Sequence, residues 1–199
     1  MNHSEKEAAI ENIKKLQLQA KEITKELQLN CLMSKSDNNY IQIDYTITNH
    51  SSDSIFVLDQ VIVFGETNGF EEEHDRAIVI QEEQFPHTVT FSRGYVRPLA
   101  SEVMYELMPG ARTLIPDNYL EGYIRMNVPL NAWHPNEGSH KLKFDVHEFR
   151  LKLGILPAFC SLDQIQLIDG SHVLSPTRVD AYLYQQWVIS DVMSFESSE

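Results

Sequence analysis

The sequence predicts an all-β fold, an antiparallel β-sandwich with one N-terminal amphipathic α-helix. An immunoglobulin-like sandwich is the first choice and a jelly-roll-like one the second. Three observations predict it. Apolar residues recur at helical spacing only within the first thirty residues. Beyond them, short stretches alternate apolar and polar side chains with a period of two. Turn residues punctuate those stretches at short intervals, as two-layer all-β folds require. The chain thus divides into a helical segment, residues 1–30, and a β-sandwich domain, residues 31–199.

Residues 4–28 read as the helix. Ser4 is placed as N-cap, with Glu7 three residues on, the pattern of a capping box. The segment lacks Gly and Pro and is rich in Ala, Leu, Lys, Gln and Glu, which are good helix formers. Ala9, Ile13, Leu16, Ala20, Ile23 and Leu27 follow one another at steps of four and three, which makes one apolar stripe. Two fates are open for that stripe. It docks on the chain's own sheet, or it pairs with the same helix of a second copy. The repeat is shorter than a persuasive coiled coil, so docking is the preferred reading. The polar face is balanced in charge and carries no Trp or Phe, which argues against a membrane-surface role.

The strands come next. In residues 40–48, Ile41, Ile43, Tyr45 and Ile47 alternate with polar residues, a half-buried pattern. Residues 49–53 are a turn cluster. Residues 54–64 are β-branched and aromatic on both faces. Asp59-Gln60 interrupts the run, which predicts a bulge there. These two strands are expected to form a hairpin. Residues 77–81, 87–91 and 103–107 are further short strands, and Pro109-Gly110 is read as a turn. Residues 119–128 place Ile124, Met126 and Val128 on one face, and Pro129 ends the strand. In residues 141–153 the apolar parity switches near His147-Glu148, which calls for a bulge or a change of sheet. Residues 164–168 precede the turn Asp169-Gly170. Residues 181–195 are read as a closing strand.

Composition narrows the function classes. A chain of 199 residues buries an adequate core without covalent staples. Cys31 and Cys160 belong to no paired spacing, so they are expected to be reduced, buried thiols in a cytoplasmic protein. No apolar leader and no membrane-length apolar run is visible. The formal net charge is −13. Residues 1–30 hold five Lys and five Glu, so the excess lies beyond them. Such a body repels nucleic-acid backbones and anionic membrane surfaces.

The search for chemistry assigns no catalytic residue, no cofactor and no metal. Nucleotide-binding, serine-hydrolase, zinc-protease and calcium-loop motifs are all missing. His134, Glu137 and His140 form the densest set of potential metal ligands, but Pro135 and Gly138 break any fixed geometry, and a polar turn is the preferred reading. Glu66, Glu71, Glu72, Glu73 and Asp75 crowd the segment 65–75, with Asn68-Gly69 at a turn. Their order fits no known Ca²⁺ loop, and a solvated loop is preferred. Cys160 has no sequence neighbour that would activate it. Tyr182, Tyr184 and Trp187 alternate as strand residues do. Exposed together, the two tyrosines would make an adhesive patch.

The expected role is a non-enzymatic protein-binding or assembly module, self-associating through residues 4–28 or holding a protein partner. The alternative is a metal-dependent or otherwise unfamiliar enzyme, or a small-ligand binder, on a sandwich or barrel. A carbohydrate-binding module is a third option. It is weighed down by the intracellular reading and by the want of a clear aromatic platform.

Overall fold

The structure is a computed structural model and describes residues 3–36, 40–65, 69–73, 76–81, 84–85, 87–96, 108–134, 138–142 and 145–194. The N-terminal stripe forms helix α1 (His3–Lys25). It begins one residue before the expected cap and stops short of residue 28. Strand β1 (Leu27–Ser36) follows at once, inside the segment expected to be helical. Leu27 satisfies both periods. From there Leu27, Leu29, Cys31 and Met33 alternate and pack against the core, so strand pairing wins over helix continuation.

Strand β2 (Tyr40–Asn49) pairs with β1 along its whole length, from Ser36 opposite Tyr40 to Leu27 opposite Asn49. Ile41, Ile43, Tyr45 and Ile47 are buried, as the alternation requires. Strand β3 (Ile55–Phe64) does not pair with β2, against expectation. The turn between them is a corner that carries the chain from one sheet to the other. Fully buried Asn49 holds that corner. Its side-chain amide donates to the carbonyls of Asp53 (2.8 Å) and Leu114 (3.3 Å), and its amide oxygen accepts from Ser51 N–H (3.0 Å) and Oγ (2.7 Å). Period two tells a strand which face to bury; here a buried amide decides where the chain turns.

Strands β4 (Phe70–Glu72), β5 (Ile78–Gln81) and β6 (Thr88–Arg93) follow. The strand expected over residues 103–107 lies outside the described residues. Pro109 and Gly110 do not turn the chain. They sit inside β7 (Met108–Leu114), opposite Val61 and Gln60. A Cβ at Gly110 would come within 2.8 Å of Gln60 Cβ and 2.7 Å of a Val173 methyl, so this glycine serves close strand approach. Strand β8 (Asn118–Asn127) ends just before Pro129, as expected. Strands β9 (Asn131–His134) and β10 (Gly138–Lys141) form a short pair. Strand β11 (Glu148–Pro157) starts afresh. The parity switch near His147 therefore falls at the start of a new strand of the same sheet, and neither at a bulge nor at a sheet change.

Strands β12 (Leu162–Gln166) and β13 (His172–Pro176) make a hairpin around Gly170, whose φ is +85°, matching the Asp169-Gly170 signal. The expected strand over 181–195 is replaced by helix α2 (Arg178–Tyr184) and two short strands, β14 (Gln186–Ile189) and β15 (Met193–Ser194). Thr177 caps α2 by accepting from Asp180 N–H, so Thr-x-x-Asp is the start signal that the alternation of Tyr182 and Tyr184 obscured.

The strands form two sheets. The small one has the order β1-β2-β8. The large one runs β10-β9-β5-β6-β11-β3-β7-β13-β12, with β14 and β15 also paired to β11 and β4 to β3. The named strands pair antiparallel except β6 with β11. Strand β14 pairs with residues 152–155 of β11, which spans the part bonded to β6 and the part bonded to β3. Strands β6 and β3 therefore lie end to end along one edge of β11. Where β3 leaves that edge, its register against β7 shifts between Val57 and Gln60, the irregularity that Asp59-Gln60 predicts.

Side chains of both sheets meet in one cluster. It joins Ile43 and Ile47 of β2 and Ile124 of β8 with Phe91, Leu151, Leu153 and Ile155 of the large sheet. Each fully buried side chain of this size contributes about 1.5–3 kcal/mol. The C-terminal half of α1 closes the core with buried Ala20 and Ile23, while Ile13 and Leu16 pack on a second cluster around Leu58 and Leu156. Gln17 Nε2 donates to the Leu183 carbonyl (3.0 Å) and ties α1 to α2. Residues 5–12 of the same helix are exposed. Among the described residues no helix is long and apolar enough to cross a membrane.

The two halves of α1 should therefore differ in their contribution to stability. Ile23→Asp should cost several kcal/mol, on the order of a buried unpaired charge. In a single copy, Ile10→Asp should stay within about 0.5 kcal/mol, as exposed positions do. Urea unfolding followed by circular dichroism reads both, and equal losses would show that the overhanging half is packed in solution.

Candidate functional site

Asp59 stands in an apolar run, between Leu58 and Val61, where β3 changes register. It is 2% exposed. A carboxylate so placed has to be bonded to be tolerated. Tyr45 Oη donates to Asp59 Oδ2 (2.8 Å) across the gap between the sheets. Arg112, from β7, donates through Nε to both carboxylate oxygens (3.1 Å each) and through Nη2 to Oδ2. The same Nη2 donates to the Glu121 carbonyl of β8 (2.9 Å). Arg93, buried at the end of β6, donates through Nη1 to the Asp59 carbonyl (2.6 Å) and through Nε to the Arg76 carbonyl (3.1 Å). Gly122 makes the Tyr45 contact possible, because a Cβ there would lie 2.2 Å from the phenolic oxygen.

The electrostatics follow from burial. Desolvation, then the charge of Asp59, pushes the Tyr45 phenol above its usual range. It stays protonated and keeps donating. Burial pulls the Arg93 guanidinium down, opposed by Tyr45 and Asp59. The bond to Asp59 holds Arg112 above its usual value. The hydrogen bonds from Tyr45 and Arg112 to the Asp59 carboxylate clamp the two sheets together.

Two hollows meet at this clamp. One, about 350 Å³, lies between the sheets and reaches Gln60, Glu72 and Arg112. The other, about 620 Å³, is a groove over the small sheet. Both are lined by Tyr45, Glu121, Gly122 and Tyr123. A third hollow, about 480 Å³, lies between α1 and β14 and is lined by Lys14, Leu18, Lys21 and Leu183, with Leu18 63% exposed.

The residues singled out in the sequence fall as follows. The backbones of His134 and His140 lie on paired strands, His134 opposite Gly138 and His140 opposite Ala132. Glu137 lies outside the described residues, as do the side chains of both histidines. Glu66, Asn68 and Asp75 are also outside them. Glu71 and Glu72 are not in a solvated loop: they belong to β4, and Glu72 accepts from Gln60 Nε2 (3.0 Å). Glu73 pairs with Arg76. Among the described residues no group of three or more His, Cys, Asp or Glu side chains could hold a metal ion. Cys31 and Cys160 are free thiols, and burial pushes them up to about 11 and about 12, as befits packed, inert cysteines. Tyr182 projects from α2 into solvent, but Tyr184 is buried, so the two do not form a patch.

Sequence reasoning missed the clamp. An acid inside a β-branched run was the available signal, and it was read only as a bulge. Nothing local points to Tyr45, Arg93 or Arg112 as its partners.

Asp59→Asn should cost about 3–5 kcal/mol, since buried Arg93 and half-buried Arg112 then lose their counter-charge. Tyr45→Phe should cost less, about 1.5–3 kcal/mol, the worth of one hydrogen bond to a charged group. Urea midpoints distinguish these, and equal small losses would reduce the clamp to an ordinary hydrogen bond.

The thiols set a pH dependence. Their folded pKa values are raised, so the stability they confer is complete below about pH 8.5 and fades as the unfolded chain ionises first above it. Unfolding free energy should fall through pH 9–11, and a Cys31→Ala, Cys160→Ala double variant should show a shallower fall. A search for similar proteins found no matching family model, no matching curated protein and no matching solved structure.

Proposed function

We propose that this chain is a non-enzymatic assembly module, a β-sandwich of immunoglobulin-like type whose N-terminal helix pairs with that of a second copy. The observation that carries this reading is the division of α1. Its stripe is consumed from Ile13 to Ile23, but the turns before it are exposed, with Ala9 and Ile10 uncovered. Two or three turns of isolated helix are marginal in water, and covering them with another helix would stabilise both. Leu18 on α1 and Val179 and Tyr182 on α2 add exposed apolar surface.

Charge favours the same face. The first thirty residues are neutral overall and the rest of the chain carries the net −13. Two copies approaching through α1 avoid most of the repulsion that contact between the acidic bodies would bring. Two free thiols suit a reducing compartment, and a cytoplasmic location accords with them.

Size-exclusion chromatography with light scattering tests this on the full chain. The expected result is a dimer that Ile10→Asp and Tyr182→Asp convert to monomer while the circular-dichroism spectrum is retained. A monomer at every concentration up to about 100 μM, a Kd weaker than about 5.5 kcal/mol of association, sinks the reading. Point variants serve better than removal of residues 1–30, which would take away Ile23 and part of β1.

A further inference from the structure

The small sheet has one face in the core and the other in water. On the open face the register aligns side chains of its three strands in rows across the sheet. Leu32, Asp44 and Tyr123 make one row, and Asn30, Thr46 and Glu121 the next. The 620 Å³ groove runs between these two rows. Its floor is the intervening Cys31–Tyr45–Gly122 row, whose side chains turn inward with the pleat. It crosses three strands, a span of roughly 10 Å. At the β8 edge it adjoins the 350 Å³ hollow that contains Arg112.

One wall carries an organised aromatic group. Tyr123 is 40% exposed. The Arg125 guanidinium lies 5.8 Å from the centre of its ring and 4.6 Å from that of Tyr40, and Arg125 Nη2 donates to Gln42 Oε1 (3.2 Å). Arg125 Nε is buried with no hydrogen-bond partner, so the two rings meet its charge. Gln42 Nε2 in turn donates to Asp44 Oδ1 (2.8 Å). Tyr123 and Asp44 are thus positioned before any ligand arrives, which lowers the ordering cost of binding.

We propose that this groove is a binding site for a neutral, polyhydroxylated ligand, a saccharide chain. The wall chemistry selects that class. Asp44 and Glu121 in the groove disfavour an anion, while Arg112 in the adjoining hollow and Arg125 against the Tyr123 ring disfavour a cation. A hydroxyl both donates and accepts, so a ligand made of hydroxyls uses the carboxylates, the Asn30 amide and the Thr46 hydroxyl together. Tyr123 and Leu32 offer apolar surface to the C–H face of a sugar ring. The volume lies within the ordinary range of ligand clefts. The site is independent of the α1 surface, so either assignment can fail without the other.

Affinity electrophoresis of the full chain tests this, in native gels containing a soluble β-glucan, xylan, glucomannan or α-glucan. Retardation by at least one polymer is expected. Tyr123→Ala and Glu121→Gln should each weaken it about tenfold or more, Tyr123→Phe should keep it within about threefold, and Ile168→Ala, in the exposed turn after β12, should leave it unchanged. Thermal unfolding of each variant separates lost binding from lost fold. Migration unaltered by all four polymers would overturn the proposal. So would retardation indifferent to Tyr123→Ala, or binding of hexalysine alone that Asp44→Asn abolishes, which would assign the groove to cationic peptides.

Discussion

A carboxylate buried between two β-sheets has to be met by donors from both, and Asp59 imposes that constraint here. Its carboxylate is met from β2 and β7, Arg93 of β6 holds its backbone carbonyl, and Arg112 continues the chain of bonds to the β8 backbone. Apolar burial supplies the larger free energy, but it is indifferent to small slips of one sheet over another. The hydrogen bonds are not: displacing either sheet would strand a charge in the interior, at a cost comparable with a large part of a domain's net stability. The register shift in β3, the glycine at 122 and the end-to-end arrangement of β6 and β3 are local concessions that allow this set of bonds to form.

The legible part of the fold is the part that local period controls. Strand β2 is readable because four apolar residues in alternate positions specify one buried face. Its second partner is not readable, because that pairing depends on β8, which begins 69 positions after Asn49 in the sequence, and on the corner that Asn49 closes. Helix α2 has only seven residues, too few for helical spacing to prevail over the chance alternation of Tyr182 and Tyr184. In the clamp, Tyr45 lies 14 positions from Asp59 and Arg112 lies 53 from it. Such a cluster is created by topology, and composition contains only the hint that an acid inside a strand must have found partners.

The junction of α1 and β1 shows how two periods compete within one segment. Residues 9–27 satisfy helical spacing, and residues 27–33 satisfy strand spacing, with Leu27 shared. Continuing the helix would bury little more, because the stripe has already reached the core at Ala20 and Ile23. Ending it gives β1 a ladder along all ten residues of β2. The strand wins because each added residue gains both backbone bonds and, at alternate positions, burial. The same economy leaves residues 5–12 of α1 exposed.

An open sheet face is ordinarily a place for scattered polar residues, which need no partner. The outer face of the small sheet departs from that by being ordered. Arg125 bridges two tyrosine rings, Gln42 links Arg125 to Asp44, and the groove follows the row in which every side chain has turned inward. Ordering exposed side chains costs rotamer entropy that solvation alone does not return. The stack and the hydrogen bonds offset that cost in advance of any ligand. Removing Arg125 while keeping both tyrosines would leave the groove its composition but loosen its wall, and binding that survived such a change would place the affinity in the groove's shape and polar rows.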